Sequence, residues 1–422
     1  MNVIRRIFYF FSKYTDSKER SVGIFFSSLT EHSNQSRVRS QLHELLQRDI
    51  AVINLWSEYS YKGYKYLRKS QRKKLYANLS LIAADFDSFK AAHTADPGNV
   101  IDHIKLITPT ANPQHDRAAL LQTIMDYFSP KRGIYQYRES SSFGRLLRDP
   151  SREPLIGDCN QIVTLYIYLY SRYYDIRDLK IRLLPEHVAL YYSGVDIEAT
   201  NGTFKNYDGQ NGSELMPIEE IVSVNLLDTT DSYLATHEVD AEDFLQASRF
   251  AFILSHHRDI VKHNLDAAYG KLVNILMSRH NYSQALKFAK ASQDATLLSI
   301  VGNNGAVHSM QQHNYSAARR YAAHALKRDE LIKTSYHNEG IHHYQARRYT
   351  DAIKAFEKLG DKSLIQKCYE ALFFAEQDKL GKNLTTETIK SHASTIKRMR
   401  TYAKKSGNRQ LVESADSLHK HL

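Results

Sequence analysis

The sequence predicts an α+β protein: a mixed middle domain between an N-terminal helical segment and a C-terminal array of helical repeats. Three observations carry this. Apolar residues recur at helical spacing up to about residue 92. Between 116 and about 240 a helix is followed by short β-rich runs, the order of an α+β domain rather than alternating βα units. From about 241 the chain is helical again and repeats itself with a period near 34 residues. The expected domains are 1–110, 111–240 and 241–422, within the two or three that 422 residues suggest.

In the first region, "MNVIRRIFYFFSKY" sets Arg5 and Arg6 before an apolar run that ends at Phe11. The run is short for a signal peptide and no small-residue cleavage site follows, so an amphipathic helix is expected there. Leu42, Leu45, Leu46, Ile50 and Ile53 then mark one face of a long helix without proline. Pro97-Gly98 in "TADPGN" breaks the pattern, and "TPTANPQHD" (108–116) breaks it again. A new helix is expected from about Asp116.

Composition sets limits. With 42% hydrophobic residues the chain can bury packed cores. No run of about 18 apolar residues offers a membrane span, and a cytoplasmic location is expected. Cys159 and Cys368 are the two cysteines, too few for a disulfide framework or a Cys-rich zinc site. No cofactor or metal is expected. The net charge of +11 is uneven: residues 1–90 hold 16 Lys/Arg and 8 Asp/Glu, a balance of +8. "YKGYKYLRKSQRKKLY" (61–76) is the densest part. It reads as a solvated helix face with Tyr and Leu turned inward; a nucleic-acid or acidic-membrane patch is the alternative.

The middle region opens with Cys159 at the start of an apolar helix running to about Tyr174. Strands are expected at 179–184, 187–192 and 195–200, with Ser193-Gly194 as a two-residue hairpin turn. The Gly/Asn-rich "NGTFKNYDGQNGSE" is expected to be loop, and its 201–213 stretch a lid.

In the C-terminal region "HNYSQALKFAK", "HNYSAARRYAA" and "RRYTDAIKAFE" align. Tyr282, Tyr315 and Tyr349 are 33 and 34 residues apart; Ala285, Ala318 and Ala352 follow three positions on, then Ala289, Ala322 and Phe356. This resembles degenerate tetratricopeptide repeats, lacking the Trp and terminal Pro of the consensus. Gly340 matches that family's small residue in the first helix. The resemblance implies a protein or peptide partner held by the array. "GNNG" (302–305) lacks the Lys-Ser/Thr of a phosphate loop and is expected between repeat helices. Cys368 and the His pairs 256–257 and 342–343 are expected to serve packing or surface.

A thiol nucleophile needs a thiolate, a base and a group to orient the base. Asp158 can cap the helix with Cys159 as its first residue and Gln161 as its third, a capping-box spacing. Asp158 works against the thiolate by its own charge. His187, 28 residues on, opens a strand, and Glu198 lies 11 further on the next. With the turn at 193–194, residue 200 falls opposite His187, so Glu198 can reach it only diagonally.

"GDC" opening a helix, a His opening a strand and an acid on the next strand resemble the transglutaminase-like superfamily. That family places a Cys-His-Asp triad in this order on a papain-like core. "IEAT" (197–200) stands where it often has an Asp-Pro-Thr turn, aligning Glu198, Ala199 and Thr200 with those residues. "ALLQTIMDYFSPKRGIYQYRE" resembles its helix and strand before the cysteine. Two departures stand out: Glu is one methylene longer than Asp, and Val188-Ala189 replaces the usual aromatic after the His. The resemblance implies catalytic Cys159, His187 and Glu198, and acyl transfer through a thioester by an amidase, peptidase or protein transglutaminase. The alternative is a catalytically silent scaffold whose repeats bind partners.

Overall fold

The computed structural model describes residues 12–140, 142–228, 240–381 and 388–422. The protein is mostly helical, with a small antiparallel sheet and a C-terminal helical array. It divides into two compact units, 1–269 and 270–422.

The first unit begins with α1 (Ser17–Ser28), α2 (Gln35–Ser60), α3 (Lys69–Ala92), α4 (Pro97–Ile107) and α5 (His115–Tyr127). The helix expected at the extreme N-terminus lies largely outside the described residues. Leu42, Leu46, Ile50 and Ile53 are buried, as their spacing requires, but α2 is broken at Asp49 (φ −176°, ψ 90°). Pro97 and Gly98 interrupt the helical pattern by starting α4 rather than by making a loop. Asp96 caps it and Pro97 takes the first turn, where a missing N–H costs nothing.

A parallel pair, β1 (Tyr135–Tyr137) and β2 (Leu155–Gly157), flanks the short α6 (Phe143–Leu146). The helix α7 (Cys159–Ser171) follows, then β3 (Leu179–Leu184), β4 (His187–Tyr192), β5 (Val195–Glu198), β6 (Thr203–Lys205) and β7 (Glu214–Pro217). The last five form one antiparallel sheet in the order β6-β5-β4-β3-β7. The β4–β5 turn has positive φ at both Ser193 (46°) and Gly194 (103°), a hairpin geometry that suits the strand twist. The expected loop at 201–214 contains β6, which pairs Phe204 with Ile197. Its polar neighbours hid a three-residue strand whose one buried side chain is Phe204. Helices α8 (Glu220–Leu227) and α9 (Ala241–Leu254) complete this part, and the division between the units falls inside α10 (Arg258–Ser278).

One apolar core runs from Val22 through Trp56, Phe86, Tyr127, Tyr166 and Leu190 to Val261. The boundaries expected near 110 and 240 therefore fall inside a single unit. Boundary signals in the sequence mark loops; a core shared across them leaves no such mark.

The second unit stacks α11 (Tyr282–Ala291), α12 (Ala295–Gln311), α13 (Tyr315–Ala322), α14 (Arg328–Gln345), α15 (Tyr349–Leu359), α16 (Lys362–Gln377), α17 (Ala393–Ser406) and α18 (Arg409–His419). Ala285, Ala289, Ala318, Ala322 and Ala352 are fully buried and Phe356 nearly so. The turn before each repeated Tyr carries one left-handed residue: His280 (φ 56°), His313 (55°) and Arg347 (57°). Asn281 and Asn314 then cap the following helices. "GNNG" lies within α12, not between helices. Gly302 faces the backbone of His324 and Ala325, and Gly305 the Tyr321 ring, so small residues there serve close helix approach.

Gly340 makes the same point with a measurable cost. A methyl on it would sit 2.3 Å from a Phe356 ring carbon. Gly340→Ala is expected to destabilise the array by about 1–3 kcal/mol, as overpacking does. Urea denaturation checks this; an unchanged or raised midpoint would refute the packing argument.

Candidate active site

Helix α7 starts where Gly157 ends β2. Asp158 holds an extended backbone (φ −99°, ψ −169°), and its Oδ1 accepts from the Gln161 N–H at 3.2 Å. Cys159 is the first helical residue, so its N–H has no acceptor within the helix and its sulfur lies at the positive end of the dipole. The reciprocal arm of a capping box is not made. Gln161 Nε2 instead donates to the Ser140 carbonyl at 2.5 Å, tying the segment after β1 to the start of α7. Burial, with Asp228 close by, pushes the Asp158 carboxyl well above the usual carboxylate range. That weakens the negative charge expected to oppose a thiolate.

Cys159 is only 8% exposed. It borders an open cavity of about 850 Å³, lined also by Tyr137, Asn160, Leu184, His187 and Asp228. His187 opens β4 directly after a two-residue turn in which Glu186 has φ 59°. The β4–β5 register pairs Leu190 with Ile197. Carried three residues further it sets Thr200 opposite His187, so Glu198 is the diagonal neighbour. That contact is made: His187 Nε2 and Glu198 Oε2 are 2.6 Å apart. The Cys159 thiol and His187 line the same cavity, and the thiol is the largest cause of the imidazole's upward shift. With Nε2 taken by Glu198, Nδ1 is the ring nitrogen left for the sulfur.

The electrostatics agree with this arrangement. The Cys159 thiol first, and then the bond to Glu198, push the His187 imidazole up to about 10 against the cost of burial. Burial alone pushes the Glu198 carboxyl up, but bonds from His187 and Thr200 outweigh it and the net shift is downward. An imidazole beside a carboxylate, with a thiol lining the same cavity, can take a proton, hold it as imidazolium against the carboxylate, and return it.

The structure adds residues that sequence reasoning left without a role. Thr200 donates to Glu198 Oε1 through its N–H at 3.2 Å and its Oγ1 at 2.5 Å. Its place in "IEAT" was a signal for it. Tyr207 donates its hydroxyl to Glu198 Oε2 at 3.0 Å, and its Gly/Asn-rich surroundings gave no signal at all. Glu58, from α2, is buried and accepts from Ser142 Oγ and Gly144 N at 3.1 Å and from Phe143 N. It anchors the segment that Gln161 grips. The lid expected at 201–213 is not seen: none of the described residues lining the cavity comes from that stretch.

Other expectations find their places. Cys368 is fully buried among Ala352, Ile353 and Phe356, and burial pushes its thiol up to about 11. His257 lies 3.4 Å from Glu214, and His342 stacks on His313 at 4.3 Å between centroids. Among the described residues no group of three or more His, Cys, Asp or Glu is arranged to hold a metal ion, and no helix is long and apolar enough to cross a membrane. In 61–76, Tyr64, Leu67 and Leu75 point inward, and so do two cations, Lys62 and Arg72. Lys65, Arg68, Lys73 and Lys74 remain exposed. No protein-family model matches the chain, and no curated protein matches it.

Proposed function

We propose that the protein is a cysteine acyl-transfer enzyme of transglutaminase-like type, with a papain-like core and tetratricopeptide-like repeats that hold a protein substrate or partner. One observation carries the reading. Cys159 at a helix start and His187 at a strand start line one large open cavity, and His187 pairs with Glu198 on the next strand at 2.6 Å. His187 takes the thiol proton, and the sulfur attacks an amide carbonyl. The oxyanion that forms is met by backbone N–H groups at the start of α7, that of Cys159 first. His187 returns the proton to the leaving amine, and a thioester remains. Water then releases an acid, or an amine releases a new amide; in both cases His187 takes the attacking proton and the thiol is restored. The repeats' fully buried small positions support the second half of the reading.

Mass spectrometry of the intact chain after incubation with glutamine-containing peptides tests it: an acyl adduct on Cys159 is expected, absent in Cys159→Ser. Iodoacetamide near neutral pH should label Cys159 at least about tenfold faster than the buried, up-shifted thiol of Cys368. Equal, slow labelling of both cysteines would instead favour the silent scaffold.

A further inference from the structure

The carboxylate of Glu198 is held by more than its histidine. Its four acceptor contacts divide by oxygen: Thr200 N–H and Oγ1 on Oε1, His187 Nε2 and the Tyr207 hydroxyl on Oε2. Among the described residues, Tyr207 is thus the side chain that shares this oxygen with the histidine. It reaches that oxygen from the 206–213 loop.

That loop is itself fastened. The Tyr207 N–H donates to Asp196 Oδ2 at 2.8 Å. Asp196, 1% exposed, pairs with the buried Arg182 at 2.9 Å. Arg182 also takes Asp208 at 2.6 Å and Ser213 Oγ at 3.3 Å. Arg182 comes from β3 and Asp196 from β5, so the loop is clamped to the same sheet that carries His187 and Glu198.

Glutamate has one more rotatable bond than aspartate, and a mobile carboxylate orients an imidazole poorly. Donors on both oxygens remove that freedom. We infer that Tyr207 is a positioning residue of the acyl-transfer site, fixing Glu198 Oε2 on His187 Nε2, with the Arg182–Asp196 pair holding the loop that delivers it. The inference rests on the cysteine-enzyme reading above. Tyr207 is not among the residues lining the cavity and is not itself a catalytic group.

The test uses the full-length chain and iodoacetamide as the probe, with His187 followed by NMR titration. Tyr207 is half-buried on a loop, so phenylalanine keeps its packing and removes one hydroxyl. Tyr207→Phe is expected to slow Cys159 labelling at neutral pH about tenfold, the scale of a lost hydrogen bond to a charged group. It should also lower the pH at which His187 titrates, in the same direction as Glu198→Gln, while the thermal midpoint stays within the range of surface variants. A merely structural Tyr207 would move the midpoint and leave the His187 titration in place. If Tyr207→Phe matches the wild type in rate and titration while His187→Ala slows labelling, the inference is overturned and the enzyme reading stands. If His187→Ala also labels like the wild type, both are overturned.

Discussion

His187→Ala is expected to slow iodoacetamide labelling of Cys159 at neutral pH by roughly 10²-fold, the lower end of what a positioned general base contributes. The imidazole shares the cavity with the thiol and holds Glu198 at 2.6 Å, so its removal takes the base nearest the thiol's cavity and strands the acid. Glu198 is 5% exposed and would then lack its principal counter-charge, so the variant should lose stability as well. That loss depends on pH, and its sign follows from the shift. The folded-state value of His187 is raised from 6.5 to about 10, so the protonated form is the one the fold favours. Its stabilisation is fully present below pH 6.5 and is lost as pH rises through about 10. The gap in thermal midpoint between wild type and His187→Ala should therefore be widest near pH 6 and narrow towards pH 10. A gap that widens with pH, or none at any pH, would show that the imidazolium is not held as described.

Glu19→Ala is expected to destabilise the first unit by about 3–5 kcal/mol, the cost of leaving a buried charge unpaired. Glu19 and Arg72 have fully buried side chains, with Arg72 Nε and Glu19 Oε1 2.7 Å apart. The carboxylate also accepts from Tyr76 Oη at 2.8 Å and Thr15 N at 2.6 Å. The guanidinium donates to the Leu67 and Lys13 carbonyls and lies 4.1 Å from the centroid of the Tyr59 ring. Removing Glu19 leaves a cation without its counter-charge and two donors without acceptors. An exposed pair gives the contrast: Asp266→Ala, which breaks the Lys262 pair on one helix face, should cost no more than about 0.5 kcal/mol. Replacing both partners, as in Glu19→Leu with Arg72→Met, should cost less than Glu19→Ala alone, because no charge is stranded. Chemical denaturation of the three variants decides it; equal losses for Glu19→Ala and Asp266→Ala would refute the argument.

This pair also marks where the sequence was misleading. The 61–76 stretch reads as a solvated basic face, yet Arg72 is fully buried and Lys62 is 4% exposed. Nothing within the stretch announces this, because Glu19, the residue that makes Arg72 affordable inside, lies 53 positions earlier. The expected boundaries at 110 and 240 lie within the first unit for a similar reason: proline and glycine mark local breaks, whereas Trp56, Leu190 and Phe250 belong to one core across them. In the array the reverse holds. The Ala and Ala/Phe positions at a period near 34 locate buried positions, with Tyr282 and Tyr349 half-buried beside them, because each repeat packs mainly on its sequence neighbours.

By itself the sequence determined the local elements around the candidate site. The cap at Asp158, the helix from Cys159, the strands at 179–184 and 187–192 and the turn at Ser193-Gly194 follow from short-range backbone preferences and side-chain period. It also determined that Glu198 could meet His187 only as a diagonal neighbour. Only the tertiary structure decided that the diagonal closes at 2.6 Å, that Thr200 and Tyr207 share the carboxylate, and that Gln161 leaves its capping role for Ser140. It likewise decided that Glu58, 101 residues before Cys159, anchors the segment beside it. Hydrogen-bond partners of a buried group are chosen by distance in space, and the chain's order does not encode that distance.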